Sequence, residues 1–301
     1  MSMVPPSLFH RLLDDAAVFP PGLAPVEVAV AEFRERANGP YAELIGPLVI
    51  GAGAVDELID VLREAPSAAE PLPVCVIARR GTEPVMLTEA VERLSREVPQ
   101  QVTLTGVELA HRRGWRDALA WEVPIAVEIG PSTEAMLTQI GDVAEAAQHH
   151  RVRAKLRTQS TPQVPLPRPE VLAGFLLGCA RRRLPFKLTG GLHHAVPTDV
   201  PTPGGGTERQ HGLLNVLLAT ELAVRHARGA ATDMESEAAT PLERVVATIT
   251  ERDADYLVQR ARDLTDDQVS GLRERFTAYG CCGVLDPITE LTALGLLSPA
   301  S

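Results

Sequence analysis

The chain has 301 residues, of which 45% are apolar and 23% charged, with a net charge of -10 and a pI near 5.3. That balance supports a sizeable core and excludes global disorder, and the acidic surplus argues against a nucleic-acid surface or a polybasic membrane contact. Aromatic residues, at 4%, offer no platform for stacked bases.

The four cysteines (Cys75, Cys179, Cys281, Cys282) show no C-x-x-C spacing, so reduced thiols are expected. Met1 to Pro6 carry neither a basic region nor an apolar run, and no apolar stretch approaches membrane-spanning length. The expectation is a cytoplasmic protein.

Short apolar runs alternate with longer amphipathic stretches along the chain. A first strand is predicted at 16–20 with a helix over 25–36, a second strand at 48–52 with a helix over 55–63, and a third strand at 74–78 with a helix over 84–97. The fourth strand, 102–108, precedes a short helix over 115–119, and the fifth, 125–129, precedes a helix over 133–149. Strands six and seven, 152–158 and 185–191, are followed by helices over 169–182 and 211–226. Proline opens several strands, at Pro47, Pro73, Pro124 and Pro185, where its missing N–H costs little. Two further helical stretches, 241–252 and 266–275, precede an eighth strand at 276–281 and a final helix over 287–297.

Eight β–α units in series predict an α/β fold: a single-domain (β/α)8 TIM barrel over residues 1–301, with extra helices between strands seven and eight. A doubly wound open sheet is the runner-up, but no G-x-G-x-x-G opens a helix after the first strand. Residues 197–210, with Pro201, Pro203 and three consecutive glycines, read as a lid loop over the mouth or as an insertion without function. Residues 165–169 read as a short proline-rich loop, and 229–239 as a low-complexity connector.

Among the 29 Lys and Arg residues only Lys155 and Lys187 are lysines, and they lie in strands six and seven. Guanidinium stays protonated where ammonium need not, so lysine kept at two places points to amine chemistry. Barrel enzymes carry their chemistry at the C-terminal strand ends. Alternation turns Val152, Ala154 and Leu156 toward the helices and Lys155 and Arg157 inward, and in strand seven it turns Lys187, Thr189 and Gly191 inward. Glu128 faces in from strand five and Glu108 ends strand four, so these charges converge on one mouth.

Two ammonium groups in one dry cavity disfavour each other's protonation, which leaves one a free amine near neutral pH. Such an amine attacks a carbonyl to form a Schiff base, an electron sink for breaking or making a carbon–carbon bond, with Glu108 or Glu128 moving the protons.

The stretches Lys155-Leu156-Arg157-Thr158 and Lys187-Leu188-Thr189-Gly190-Gly191 resemble the lysine strands of class I aldolases of the deoxyribose-phosphate aldolase type. The resemblance covers about 15 residues. It implies Lys155 as the Schiff-base nucleophile and Lys187 as the neighbour that lowers its pKa. It further implies that Gly190, Gly191 and the segment Gly280 to Gly283 hold a substrate phosphate. Arg157 stands where that family has a small residue, and its guanidinium is expected to contact a carboxylate or phosphate.

The histidines support a rival reading. His193 and His194 follow strand seven and His211 opens the next helix. With Asp14, Asp15 or Glu128 they form a candidate divalent-metal site of a barrel lyase or isomerase; otherwise they are substrate hydrogen-bonders or proton carriers. Asp14 and Asp15 by themselves read as solvated acids at the barrel's bottom, and Cys281 and Cys282 as packed, inert thiols.

The expected protein is therefore a lyase of the aldolase type that acts on a small anionic carbonyl or phosphorylated substrate. No cofactor is required on this reading, and a divalent metal is on the alternative. A non-catalytic barrel that serves as a binding module is the third reading. Neither nucleic acid nor membrane is an expected partner, and self-association into a homo-oligomer is left open.

Overall fold

The computed structural model describes residues 4–64, 70–130, 132–161, 164–202, 205–229 and 239–299. Eight parallel strands close into a barrel: β1 (Leu13–Asp15), β2 (Ile45–Gly51), β3 (Leu72–Ile77), β4 (Val102–Ala110), β5 (Ile125–Glu128), β6 (Val152–Arg157), β7 (Phe186–Thr189) and, after a hairpin, β10 (Phe276–Cys281). The order is that of the chain, and β10 joins β7 to β1. The (β/α)8 expectation holds.

Helices cover the outer face: α1 (Val26–Ala37), α2 (Val55–Glu64), α3 (Pro84–Glu97), α4 (Thr133–Ala146), α5 (Pro169–Arg181), α6 (Leu213–Ala227) and α10 (Leu285–Ala293). Only a 3-10 helix, Trp115–Trp121, connects β4 to β5. Helix α2 illustrates why these segments dock. Its apolar residues recur as Val55, Leu58, Ile59 and Leu62, one stripe at helical spacing, and all four are fully buried. Each contributes roughly 1.5–3 kcal/mol by leaving water.

Two readings of the sequence are corrected. The first strand is not 16–20 but Leu13–Asp15, whose Leu13 pairs with Tyr279 on one side and Ile45 on the other. After Asp15 the chain turns, with Phe19 N–H bonded to Ala16 O, and Pro20 and Pro21 have no N–H for a ladder. Between β7 and β10 the described residues hold three extra helices rather than two: α7 (Pro241–Thr250), α8 (Ala254–Arg262) and α9 (Asp266–Arg273). The overlooked α8 is strongly charged, yet Asp253 caps it by accepting from Tyr256 N–H at 3.0 Å, and Leu257, Val258 and Ala261 are buried.

The segment 197–210 is a hairpin, β8 (Thr198–Pro201) against β9 (Thr207–Gln210), with Asp199 paired to Arg209 at 2.7 Å. Residues 203–204 of that segment, and 230–238 of the expected connector, lie outside the described residues. Among the described residues no helix is long and apolar enough to cross a membrane.

Candidate active site

The barrel interior has two unlike halves. Val49 of β2, with Cys75 and Ile77 of β3, forms a small apolar wall together with Ala16 and Phe19. The remaining strands contribute Asp14, Glu108, Glu128, Lys155 and Lys187. Register sets this: Lys155 is directly opposite Lys187, and Glu128 is opposite Lys155. Parallel neighbours in register point to the same face, so the charges are delivered together.

Asp14 enters from β1 because Gly46 on β2 leaves room for it; a Cβ at Gly46 would collide with Asp14 Oδ1. At the floor, Arg153 Nη1 donates to Thr277 Oγ1 at 3.0 Å.

The charges form one chain. Lys187 Nζ donates to Asp14 Oδ2 at 2.5 Å and to Glu108 Oε1. Lys155 Nζ lies 2.7 Å from Glu108 Oε2 and 3.1 Å from Glu128 Oε2. These two contacts are ion pairs whose alignment falls short of a hydrogen bond, so Glu108 Oε2 has no aligned donor. Glu108, Lys155 and Lys187 are all buried, at 0–2% exposure.

Burial opposes charge on each group, but the opposite charges outweigh it. Lys155 and Lys187 hold Glu108 well below the usual carboxylate range. Glu128 is lowered too, against its burial, by Lys155 and then Arg157. Burial favours a neutral Lys155, yet Glu108 and Glu128 raise its pKa above that of a free lysine, and repulsion from Lys187 is a lesser influence. Lys187 is raised in the same way, against burial, by Asp14 and Glu108. The expectation that the two ammonium groups leave one lysine neutral at rest is therefore corrected. Glu108 stands between the lysines and cancels the repulsion on which that expectation relied.

Above this network a cavity of about 210 Å³ opens at the C-terminal end of the strands. At about 30 Å³ per water it has room for roughly seven waters, a volume that suits a molecule of a few carbons. Both lysines, Glu108 and Glu128 line it, as do Arg157, Thr189, Gly190 and Gly280. Arg79, from the end of β3, completes the rim, its guanidinium 5.7 Å from the Phe19 ring centre. Among the described residues neither Arg79 nor Arg157 forms an ion pair within the chain. Two guanidinium groups at the rim favour an anion there.

The turn after β7 is strained. Gly190, Gly191 and Leu192 have φ of 71°, 68° and 55°, three left-handed residues in a row. A Cβ at Gly190 would lie 2.6 Å from Gln159 Oε1, and one at Gly191 would lie 2.5 Å from the Thr158 carbonyl oxygen. Glycine is required at both, and such strain concentrates at functional sites.

Not all the expected residues meet. Gly191 shapes the turn without lining the cavity. His211 is buried, its Nε2 donating to the Pro167 carbonyl at 2.8 Å, away from the cavity. His194 Nδ1 pairs with Glu290 at 2.7 Å. His193 Nδ1 pairs with Asp286 at 2.8 Å, and the sulfurs of Cys281 and Cys282 against its ring raise its pKa above that of free imidazole. Asp15 turns to Arg36 at 2.6 Å. The histidines and acids proposed as metal ligands are thus spread over separate contacts, and among the described residues no three His, Cys, Asp or Glu converge as a metal site.

Three contributors escaped the sequence reading. Asp14 was set in a solvated bottom edge and is instead 2% exposed inside the barrel. Arg79 had a usable signal, a charge directly after the third apolar run, where barrel loops carry function. Cys282 had none, because His193, whose ring lies 3.3 Å from its sulfur, is 89 residues away in the chain. Comparison of the chain with protein-family models and with curated proteins finds no match.

Proposed function

We propose that the protein is an enzyme of the lyase class that cleaves or forms a carbon–carbon bond in a small anionic carbonyl compound through a Schiff base on Lys155. The observation that carries this is the pairing of the protein's two lysines with three carboxylates at the base of a small cavity whose rim holds two guanidinium groups. A scaffold with no need of amine chemistry has arginine available, and this chain uses arginine everywhere else.

Lys155 is the better nucleophile of the two. Lys187 is held by aligned hydrogen bonds to Asp14 and Glu108, whereas the ion pairs of Lys155 with Glu108 and Glu128 are less well aligned and fix its amine less firmly. Both amines rest as ammonium, so attack requires proton transfer from Lys155 Nζ to Glu128 or Glu108, each within 3.1 Å. The amine adds to the carbonyl carbon, the carbinolamine loses water, and the iminium keeps one positive charge where the ammonium stood. The field of Glu108 and Glu128 thus stabilises the product of that step as it stabilised the ammonium. A carboxylate then takes the proton of the hydroxyl on the carbon beta to the iminium. The bond between the alpha and beta carbons breaks as its electron pair enters the iminium, and the beta carbon leaves as a carbonyl compound. The carboxylic acid so formed protonates the enamine carbon, and water releases the product and frees Lys155. Arg157 and Arg79 would hold the substrate's carboxylate or phosphate.

The test is borohydride reduction with a panel of small aldehydes and 2-oxoacids, read by intact mass and peptide mapping. An irreversible adduct on Lys155, absent in Lys155→Arg, is the expected result. Absence of any adduct across the panel would sink the proposal, and an adduct on Lys187 would reverse the roles of the two lysines.

A further inference from the structure

Cys282 lines the same cavity from the end of β10, and behind it stands a relay that the lysine chemistry does not use. Cys282 Sγ lies 3.3 Å from His193 Nε2, and His193 Nδ1 lies 2.8 Å from Asp286 Oδ2. A nucleophile against a base, with the base oriented by a third group, is the arrangement that activates thiols. The carboxylate fixes the tautomer: Nδ1–H donates to Asp286, which leaves Nε2 to share a proton with the sulfur.

The backbone is shaped for this contact at both ends. The left-handed run Gly190, Gly191, Leu192 delivers His193 to Cys282, and Leu192 adopts φ 55° without glycine's freedom. Gly283 leaves the space through which Asp286 leans back, since a Cβ there would collide with Asp286 Oδ2. The neighbouring Cys281 differs: it is fully buried, donates to the Gly283 carbonyl at 3.3 Å, and its thiol pKa is raised by that burial. Only one of the two adjacent thiols faces both the base and the cavity.

We infer that Cys282, with His193 as its base and Asp286 as the orienting carboxylate, is a second nucleophile of the cavity that captures a small anionic aldehyde as a thiohemiacetal. The S–C bond forms as the carbonyl π bond breaks. The proton shared between Sγ and Nε2 ends on the new hydroxyl oxygen, and nothing is oxidised or reduced. The guanidinium groups of Arg79 and Arg157 select the anion. This site is independent of the Schiff base, because it needs no amine.

The experiment is timed alkylation of the folded full-length protein with iodoacetamide at pH 7, mapped by peptide mass. Cys282 is expected to label while Cys75, Cys179 and Cys281, all fully buried, do not. His193→Gln is expected to slow Cys282 labelling by about tenfold or more. Asp286→Asn, at a side chain 58% exposed, should leave the fold intact and slow it in the same direction. Glyoxylate is expected to protect Cys282, and glycolate, which has the same carboxylate but no carbonyl, is not. Protection by glyoxylate should persist in Lys155→Arg, which cannot form the Schiff base. Labelling rates unchanged in both His193→Gln and Asp286→Asn would overturn the relay. Equal protection by glycolate, or loss of glyoxylate protection in Lys155→Arg, would overturn the capture.

Discussion

Glu108 Oε2 lies 2.7 Å from Lys155 Nζ without hydrogen-bond alignment, while the other oxygen of the same carboxylate is held by Lys187. One fully buried side chain thus serves two ammonium groups unequally. It fixes Lys187 and leaves Lys155 attracted but not locked, a division suited to one structural and one reactive lysine.

Removal of that carboxylate charge should be costly. Glu108→Gln leaves both buried ammonium groups with one partner each, and loss of a buried partner costs about 3–5 kcal/mol. Glu128, at 14% exposure, is ion-paired among the described residues with Lys155 alone, so Glu128→Gln should cost less. Urea denaturation of the two variants checks the order, and equal midpoints would contradict it.

Stability should fall at both ends of the pH scale. The carboxyl pKa values of Glu108 and Glu128 are lowered in the folded state, so their contribution is present above the unfolded value of about 4.3 and is lost as pH falls through the folded values. The pKa values of Lys155 and Lys187 are raised, so their contribution is present below the unfolded value of about 10.4 and is lost as pH rises through the folded values. Urea midpoints measured from pH 3 to pH 11 should trace a plateau with two declining limbs. The alkaline limb should be shallower in Lys155→Met.

The two glycines after β7 should not be equivalent. A methyl at Gly191 meets the Thr158 carbonyl oxygen, part of the backbone, at 2.5 Å, whereas one at Gly190 meets the side chain of Gln159, its Oε1 at 2.6 Å and its Cβ at 2.8 Å. Both substitutions carry a left-handed penalty of about 1–2 kcal/mol. Gly191→Ala should exceed Gly190→Ala by the cost of shifting backbone, measurable as a larger drop in thermal midpoint.

Arg157 should matter for affinity more than for turnover. It lines the rim and has no ion-pair partner within the described chain to lose. Arg157→Met should weaken binding of a small carboxylate such as glyoxylate by about tenfold, or 1.4 kcal/mol, with little change in folding. Titration calorimetry on the two proteins checks this, and undiminished affinity would remove Arg157 from the binding site.

Sequence alone determined the barrel, because hydrophobic periodicity is a local property: each short apolar run and each amphipathic stripe is written in adjacent residues. It also determined the two lysines, Arg157 and Glu128, since alternation along one strand says which residue faces in. The first strand was misplaced because 16–20 is apolar on both faces while Leu13-Asp14-Asp15 hides two buried acids, and only pairing with Tyr279 and Ile45 reveals it. The protonation of Lys155 was likewise invisible. It depends on Glu108 reaching in between two lysines 32 residues apart in the chain, a distance that closes only when β6 and β7 pair in register. The tertiary structure decided the rest, including the meeting of Cys282 with His193, because burial, charge balance and the approach of remote side chains are set by which strands become neighbours.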